Sequence, residues 1–98
     1  MQAYKPILVI DDDVMILELM QDIFKHQKLE TIVADSGLDG IKKFKKYEPD
    51  IVFLDFKMPH MNGIETMEKI LNIDPGAYVI ICTSHANLDT AVEAMKKG

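Results

Sequence analysis

The stretch ILVIDDD, residues 7–13, is the part of the sequence that decides the fold. Its first four residues are apolar and mostly β-branched, which is typical of a strand buried on both faces of a parallel sheet. Three aspartates then end the apolar run abruptly. The stretch therefore predicts an interior parallel strand with carboxylates at its carboxyl end.

Similar short apolar runs recur along the chain, and segments with helical periodicity separate them. The further predicted strands are residues 31–34, 51–54 and 79–82. Apolar residues spaced three and four apart predict helices over residues 14–26, from Ser36 to about Pro49, after Gly63, and after Asn87. The order β-α-β-α-β-α-β-α predicts an α/β fold, a doubly wound parallel sheet with right-handed crossovers and helices on both faces.

Composition restricts the classes of function. A chain of 98 residues with 48% hydrophobic residues fits one domain, residues 1–98. The net charge of −5 disfavours nucleic-acid binding, and four lysines on the second helix, Lys42, Lys43, Lys45 and Lys46, are predicted to face solvent. No apolar run approaches the roughly 20 residues that cross a bilayer, and the one cysteine, Cys82, allows no disulfide framework. We therefore expect a cytoplasmic protein without membrane contact.

Polar side chains follow three of the predicted strands. Asp11 and Asp12 follow the first, Asp55 the third and Thr83 the fourth. In an open parallel sheet these ends share the edge at which ligands bind. Two carboxylates 4 Å apart repel by about 4 kcal/mol at an effective dielectric of 20, so either one carboxyl is protonated or a hard cation binds. The oxygen-only set favours Mg²⁺, whereas Asp13 alone is predicted to be a helix N-cap.

Three motifs, ILVIDDD, DIVFLDFKMPHMNG and VIICTSHAN, resemble the first, third and fourth strand motifs of response-regulator receiver domains. The resemblance covers the whole chain and implies a flavodoxin-like sheet of strand order 2-1-3-4. It also implies that Asp55 accepts a phosphoryl group from a sensor histidine kinase, and that Thr83 hydrogen-bonds this group and acts as a switch. The Mg²⁺ ligands it implies are Asp12, Asp55 and the backbone carbonyl of Lys57, with Asp11 binding through water. Such a domain catalyses only its own phosphotransfer and is not an enzyme in the usual sense.

The sequence departs from the family in length. Receiver domains have five β-α units and an active-site lysine after the fifth strand, whereas this sequence contains four units and ends at Gly98. One alternative is therefore a scaffold that binds Mg²⁺ but is not phosphorylated, acting through oligomerisation or protein binding. The apolar edge at the fourth strand, beside the first helix, predicts a homo-oligomer. A flavin-binding protein of the same topology is disfavoured because aspartates stand where its phosphate would bind.

Overall fold

The computed structural model describes residues 5–55 and 62–82. Seven elements alternate along these residues in the predicted order: β1 (Ile7–Ile10), α1 (Val14–His26), β2 (Thr31–Ala34), α2 (Gly37–Tyr47), β3 (Ile51–Asp55), α3 (Gly63–Ile73) and β4 (Tyr78–Cys82). The predicted helix after Asn87 lies outside the described residues. Among the helices of the described ranges, none is long and apolar enough to cross a membrane.

The four strands form one parallel sheet of order β2-β1-β3-β4. This confirms the predicted doubly wound sheet with strand order 2-1-3-4. All four residues of β1 are buried, as the continuous apolar run predicts for an interior strand. Because β1 and β3 are neighbours, with Ile10 opposite Leu54, the residues that follow these strands meet at one edge of the sheet.

Helices cover the two faces of the sheet unequally. On one face, α2 and α3 pack Phe44, Met67 and Ile70 against the inward side chains of the strands. On the other face, α1 packs Leu17 against β1, and the ring centroid of Phe24 lies 5.3 Å from that of Phe53. The α1 face thus has one helix where the opposite face has two among the described residues.

Side-chain caps fix where each helix begins, and so position the loops at the carboxyl edge. The Asp13 carboxylate accepts a hydrogen bond from the Met15 N–H (2.9 Å), which confirms the predicted N-cap of α1. The Ser36 hydroxyl accepts one from the Asp39 N–H (3.1 Å), as predicted for α2. Since Asp13 starts a helix directly after β1, Asp11 and Asp12 are confined to a short turn above the sheet.

One lysine of α2 turns inward, so the prediction that all four face solvent is wrong for Lys43. Its Nζ donates a hydrogen bond to the Val33 carbonyl (2.6 Å) and pairs with the Asp39 carboxylate (3.0 Å). The Ala34 carbonyl of β2 accepts a hydrogen bond from the Asp11 N–H, so it points towards β1. Carbonyl direction alternates along a strand, so the Val33 carbonyl points away from β1, towards the outer edge of the sheet. Lys43 therefore satisfies a carbonyl that the edge strand leaves without a strand partner.

Candidate functional site

Three carboxylates meet at the carboxyl edge of the sheet. Asp11 and Asp12 follow β1, Asp55 ends β3, and one oxygen from each can be chosen so that all three lie within 4.8 Å of one another. The structure thus brings together the three acidic residues that the sequence singled out. The adjacency of β1 and β3 is what makes this possible.

The three acidic side chains differ in exposure. Asp11 is buried, with 9% of its surface exposed, Asp55 is half-buried, and Asp12 is exposed. Asp11 and Asp55 border a small cavity of about 20 Å³, which Ile16 of α1 and Phe53 of β3 also line. Asp11 consequently stands against an apolar wall, while Asp12 lies at the mouth of the site.

Burial raises the pKa of Asp11 above its ordinary value, and the negative charges of Asp12 and Asp13 raise it further. Two hydrogen bonds oppose this rise: the Asp13 N–H donates to Asp11 Oδ1 (2.9 Å), and the Asp11 and Asp55 side chains are hydrogen-bonded to each other. Burial and the neighbouring negative charges outweigh these hydrogen bonds, so the protonated form of Asp11 is favoured more than in a free aspartate.

The donor set fits a hard divalent cation. Mg²⁺ takes oxygen ligands at about 2.1 Å, so two direct ligands lie at most about 4.2 Å apart. The chosen oxygens of the three carboxylates lie within 4.8 Å of one another, which is slightly more than this maximum separation. Two direct carboxylate ligands and a third that binds through water fit these distances, because Mg²⁺ commonly keeps several waters.

The other two predicted site residues, Lys57 and Thr83, lie outside the described residues. Their contributions stay predictions of the sequence. What the sequence missed is that Ile16 and Phe53 line a small cavity together with Asp11 and Asp55. Helical periodicity placed Ile16 on an apolar stripe, but only the packing of α1 on the sheet puts it beside these two acidic residues.

The raised pKa of Asp11 makes stability depend on pH. The folded state binds the Asp11 proton more tightly than the unfolded state does, so this group stabilises the fold at low pH and loses that contribution as pH rises through the folded pKa. Asp11→Asn cannot ionise but keeps an oxygen acceptor for the Asp13 N–H. In Mg²⁺-free buffer at pH 7 we expect Asp11→Asn to raise the free energy of unfolding by about 1–2 kcal/mol.

Urea unfolding of Asp11→Asn across a pH series, with a chelator present, measures this effect. The gain should vanish as pH falls below 3.8, the ordinary value for an aspartate. The matched control is Asp35→Asn, because Asp35 is exposed and follows β2 at the same edge, and its effect should stay within about 0.5 kcal/mol. A destabilised Asp11→Asn protein at pH 7 would contradict the prediction.

Comparison with known protein families identifies the family of this chain. Residues 7–98 match the response regulator receiver domain family. The chain belongs to this family. The receiver domain is a module of two-component signalling, and the resemblance of the three motifs is thereby confirmed.

Individual receiver proteins are similar over nearly the whole chain. Chemotaxis protein CheY of Listeria monocytogenes is 37% identical over 93 residues, which are 94% of this chain and 78% of that protein. A CheY-like receiver domain from Methanospirillum hungatei superposes with a TM-score of 0.92 at 30% identity, covering 98% of this chain and 77% of that one. The CheX-CheY-BeF₃-Mg²⁺ complex from Borrelia burgdorferi gives a TM-score of 0.90 at 29% identity, covering 95% and 72%. The described fold is thus a receiver fold.

Proposed function

We propose that this receiver domain accepts a phosphoryl group on Asp55 from the phosphohistidine of a sensor histidine kinase. Mg²⁺ would be held by Asp12, Asp55 and the backbone carbonyl of Lys57, with Asp11 binding through water. The observation that carries the proposal is the convergence of Asp11, Asp12 and Asp55 within 4.8 Å at the carboxyl edge of the sheet. Helix capping does not require such convergence, since Asp13 caps α1 without joining the cluster.

Asp55 suits the role of nucleophile. It is half-buried at the end of β3, and its position on a strand of a packed sheet fixes its direction. One of its carboxylate oxygens would form a bond to phosphorus while the bond from phosphorus to the histidine nitrogen breaks, and that nitrogen keeps the electron pair. The product is an acyl phosphate on Asp55, and the kinase histidine leaves as a neutral imidazole because its other ring nitrogen carries a proton.

The other two carboxylates would bind the cation. Mg²⁺, when bound, neutralises the negative charge that builds up between a carboxylate and a phosphoryl group. Asp12 is exposed at the mouth, where it can rotate towards an ion, whereas buried Asp11 is held by the Asp13 N–H. This difference supports Asp12 as a direct ligand and Asp11 as one that binds through water.

Two similarities support the phosphoryl chemistry. The structure from Borrelia burgdorferi is of a CheY bound with BeF₃ and Mg²⁺ in a complex with CheX. Another relative, 36% identical over 92 residues, is a sporulation initiation phosphotransferase of Bacillus subtilis. Thr83, at the position that follows β4, would hydrogen-bond the transferred group. A single domain over residues 1–98, a cytoplasmic location and no binding of nucleic acid stay predictions from the sequence.

Labelling with a small phosphodonor tests the proposal. The intact chain incubated with acetyl phosphate and Mg²⁺ is expected to gain the mass of one phosphoryl group, and to gain none with the chelator EDTA. Mass spectrometry of the intact protein at a series of Mg²⁺ concentrations measures this. Calorimetric Mg²⁺ binding without any label would instead support the scaffold that is not phosphorylated, and the absence of both would contradict the metal site.

A further inference from the structure

Two successive hydrogen bonds from backbone to side chain build the turn between β1 and α1. Asp11 Oδ1 accepts from the Asp13 N–H (2.9 Å), and Asp13 Oδ1 accepts from the Met15 N–H (2.9 Å). In each bond an aspartate carboxylate accepts the N–H two residues further along the chain, which is the pattern of an Asx turn. Asp13 belongs to both turns, because it donates in the first and accepts in the second. The second hydrogen bond therefore helps to hold the residue that supplies the first.

Apolar packing does little to hold this end of α1. The first two helical residues, Val14 and Met15, are 59% and 77% exposed, and the buried residue of the helix is Leu17. Asp13 has the extended backbone of an N-cap (φ −92°, ψ 107°), and its carbonyl accepts a hydrogen bond from the Leu17 N–H (3.1 Å). The start of α1 thus depends on the hydrogen bonds of Asp13 more than on burial of its first residues.

Asp12 is the residue between the two that these turns hold. It is the exposed member of the acidic cluster, whereas the Asp11 carboxylate is buried and accepts the Asp13 N–H. Because Asp12 is joined by peptide bonds to both Asp11 and Asp13, the position of its backbone depends on the same turns. A ligand that is already in place binds more tightly, since binding does not have to order it. The turns therefore affect how well both carboxylates can serve a cation.

We propose that Asp13, which lies outside the acidic cluster, is a positioning residue for Mg²⁺ binding. Its N–H holds the buried carboxylate of Asp11, and its own carboxylate holds the turn that carries Asp12. This inference rests on the proposed function, because it concerns the cation that the cluster would bind. Asp13 also brings a negative charge to within two residues of both proposed ligands. Substitution separates the two contributions, because asparagine keeps the capping oxygen and loses the charge, whereas alanine loses both.

Calorimetric titration with Mg²⁺ alone, at a temperature where every variant is folded, measures the effect. Asp13→Asn should weaken Mg²⁺ binding about threefold, because one nearby negative charge is lost, and this loss should shrink at high salt. Asp13→Ala should weaken binding about fivefold beyond Asp13→Asn, because a capping hydrogen bond is lost and the turn must be ordered when the ion binds. This second factor should be the same at low and high salt. Asp13→Ser restores a capping oxygen without charge and should bind Mg²⁺ as Asp13→Asn does.

Ser36→Ala is the matched control for the loss of a helix cap. Ser36 is the N-cap of α2 and accepts the Asp39 N–H (3.1 Å) after β2, at the same edge of the sheet, but it is outside the acidic cluster. Urea unfolding without Mg²⁺ should show that Ser36→Ala destabilises the fold to an extent similar to Asp13→Ala. Its affinity for Mg²⁺ should nevertheless equal that of the unmodified chain. A purely structural cap at Asp13 would behave as Ser36 does.

The titrations distinguish failure of this inference from failure of the proposed function. Equal Mg²⁺ affinities of Asp13→Ala and Asp13→Asn overturn the positioning role and leave the proposed function standing, since the unmodified chain still binds the ion. A loss of affinity in Ser36→Ala as large as that in Asp13→Ala also overturns it, because the effect then follows general stability. An unmodified chain that binds no Mg²⁺ overturns both the positioning role and the proposed metal site.

Discussion

Asp55→Asn is expected to abolish phosphoryl transfer from acetyl phosphate, lowering the rate at least about 100-fold and below detection by intact-mass measurement. The amide has nearly the shape of the carboxylate but lacks the charged oxygen that, in the proposed function, attacks phosphorus. Asp55 ends β3 and is half-buried, so a substitution of similar volume leaves the sheet intact. Circular dichroism and urea unfolding of the variant check that the fold persists.

Two variants separate the nucleophile from the metal ligands. Asp12→Asn should keep labelling but need a higher Mg²⁺ concentration, because Asp12 is the exposed member of the cluster and, as the proposed direct ligand, would supply charge to the cation. Asp35→Asn should label as the unmodified chain does, since Asp35 is exposed after β2 and outside the cluster. A label that survives in Asp55→Asn would show that another residue accepts the phosphoryl group, and the proposed function would be wrong.

Local patterns determined the elements but not their arrangement. The apolar run of β1 and the capping residues Asp13 and Ser36 are signals within a few residues, and the structure has each where it was predicted. Strand order is different, because periodicity gives the order of elements along the chain and not across the sheet. The order 2-1-3-4 came from the resemblance to receiver domains, and it is the step that brings Asp55 beside Asp11.

Interactions between distant segments had no signal in the sequence. Lys43 stands in a run of four lysines, and Asp39 four residues earlier was a signal for its ion pair, but spacing did not predict its contact with the Val33 carbonyl. The raised pKa of Asp11 likewise depends on burial by α1 and β3 as well as on adjacent charges. Both features arise from packing between elements far apart in the chain, which composition and spacing do not encode.

Gly40 is a further position that packing alone explains. It is the fourth residue of α2, and glycine inside a helix costs about 1 kcal/mol relative to alanine. A Cβ atom at this position would lie 2.8 Å from Cγ1 of Ile10 and closer still to its Cδ1, and Ile10 is fully buried in β1. The glycine therefore allows α2 to approach the sheet closely, where Ile10 is fully buried in the core.

Gly40→Ala is consequently expected to lower the free energy of unfolding by about 1–3 kcal/mol, because overpacking outweighs the gain in helix propensity. Urea unfolding of a double-mutant cycle with Ile10→Ala checks the cause. Ile10→Ala alone should cost about 2–5 kcal/mol, but it removes the atoms that a Cβ at residue 40 would meet. In that background Gly40→Ala should become stabilising by about 1 kcal/mol, so the sign of its effect reverses. If Gly40→Ala has the same effect in both backgrounds, contact with Ile10 is not the reason for glycine at this position.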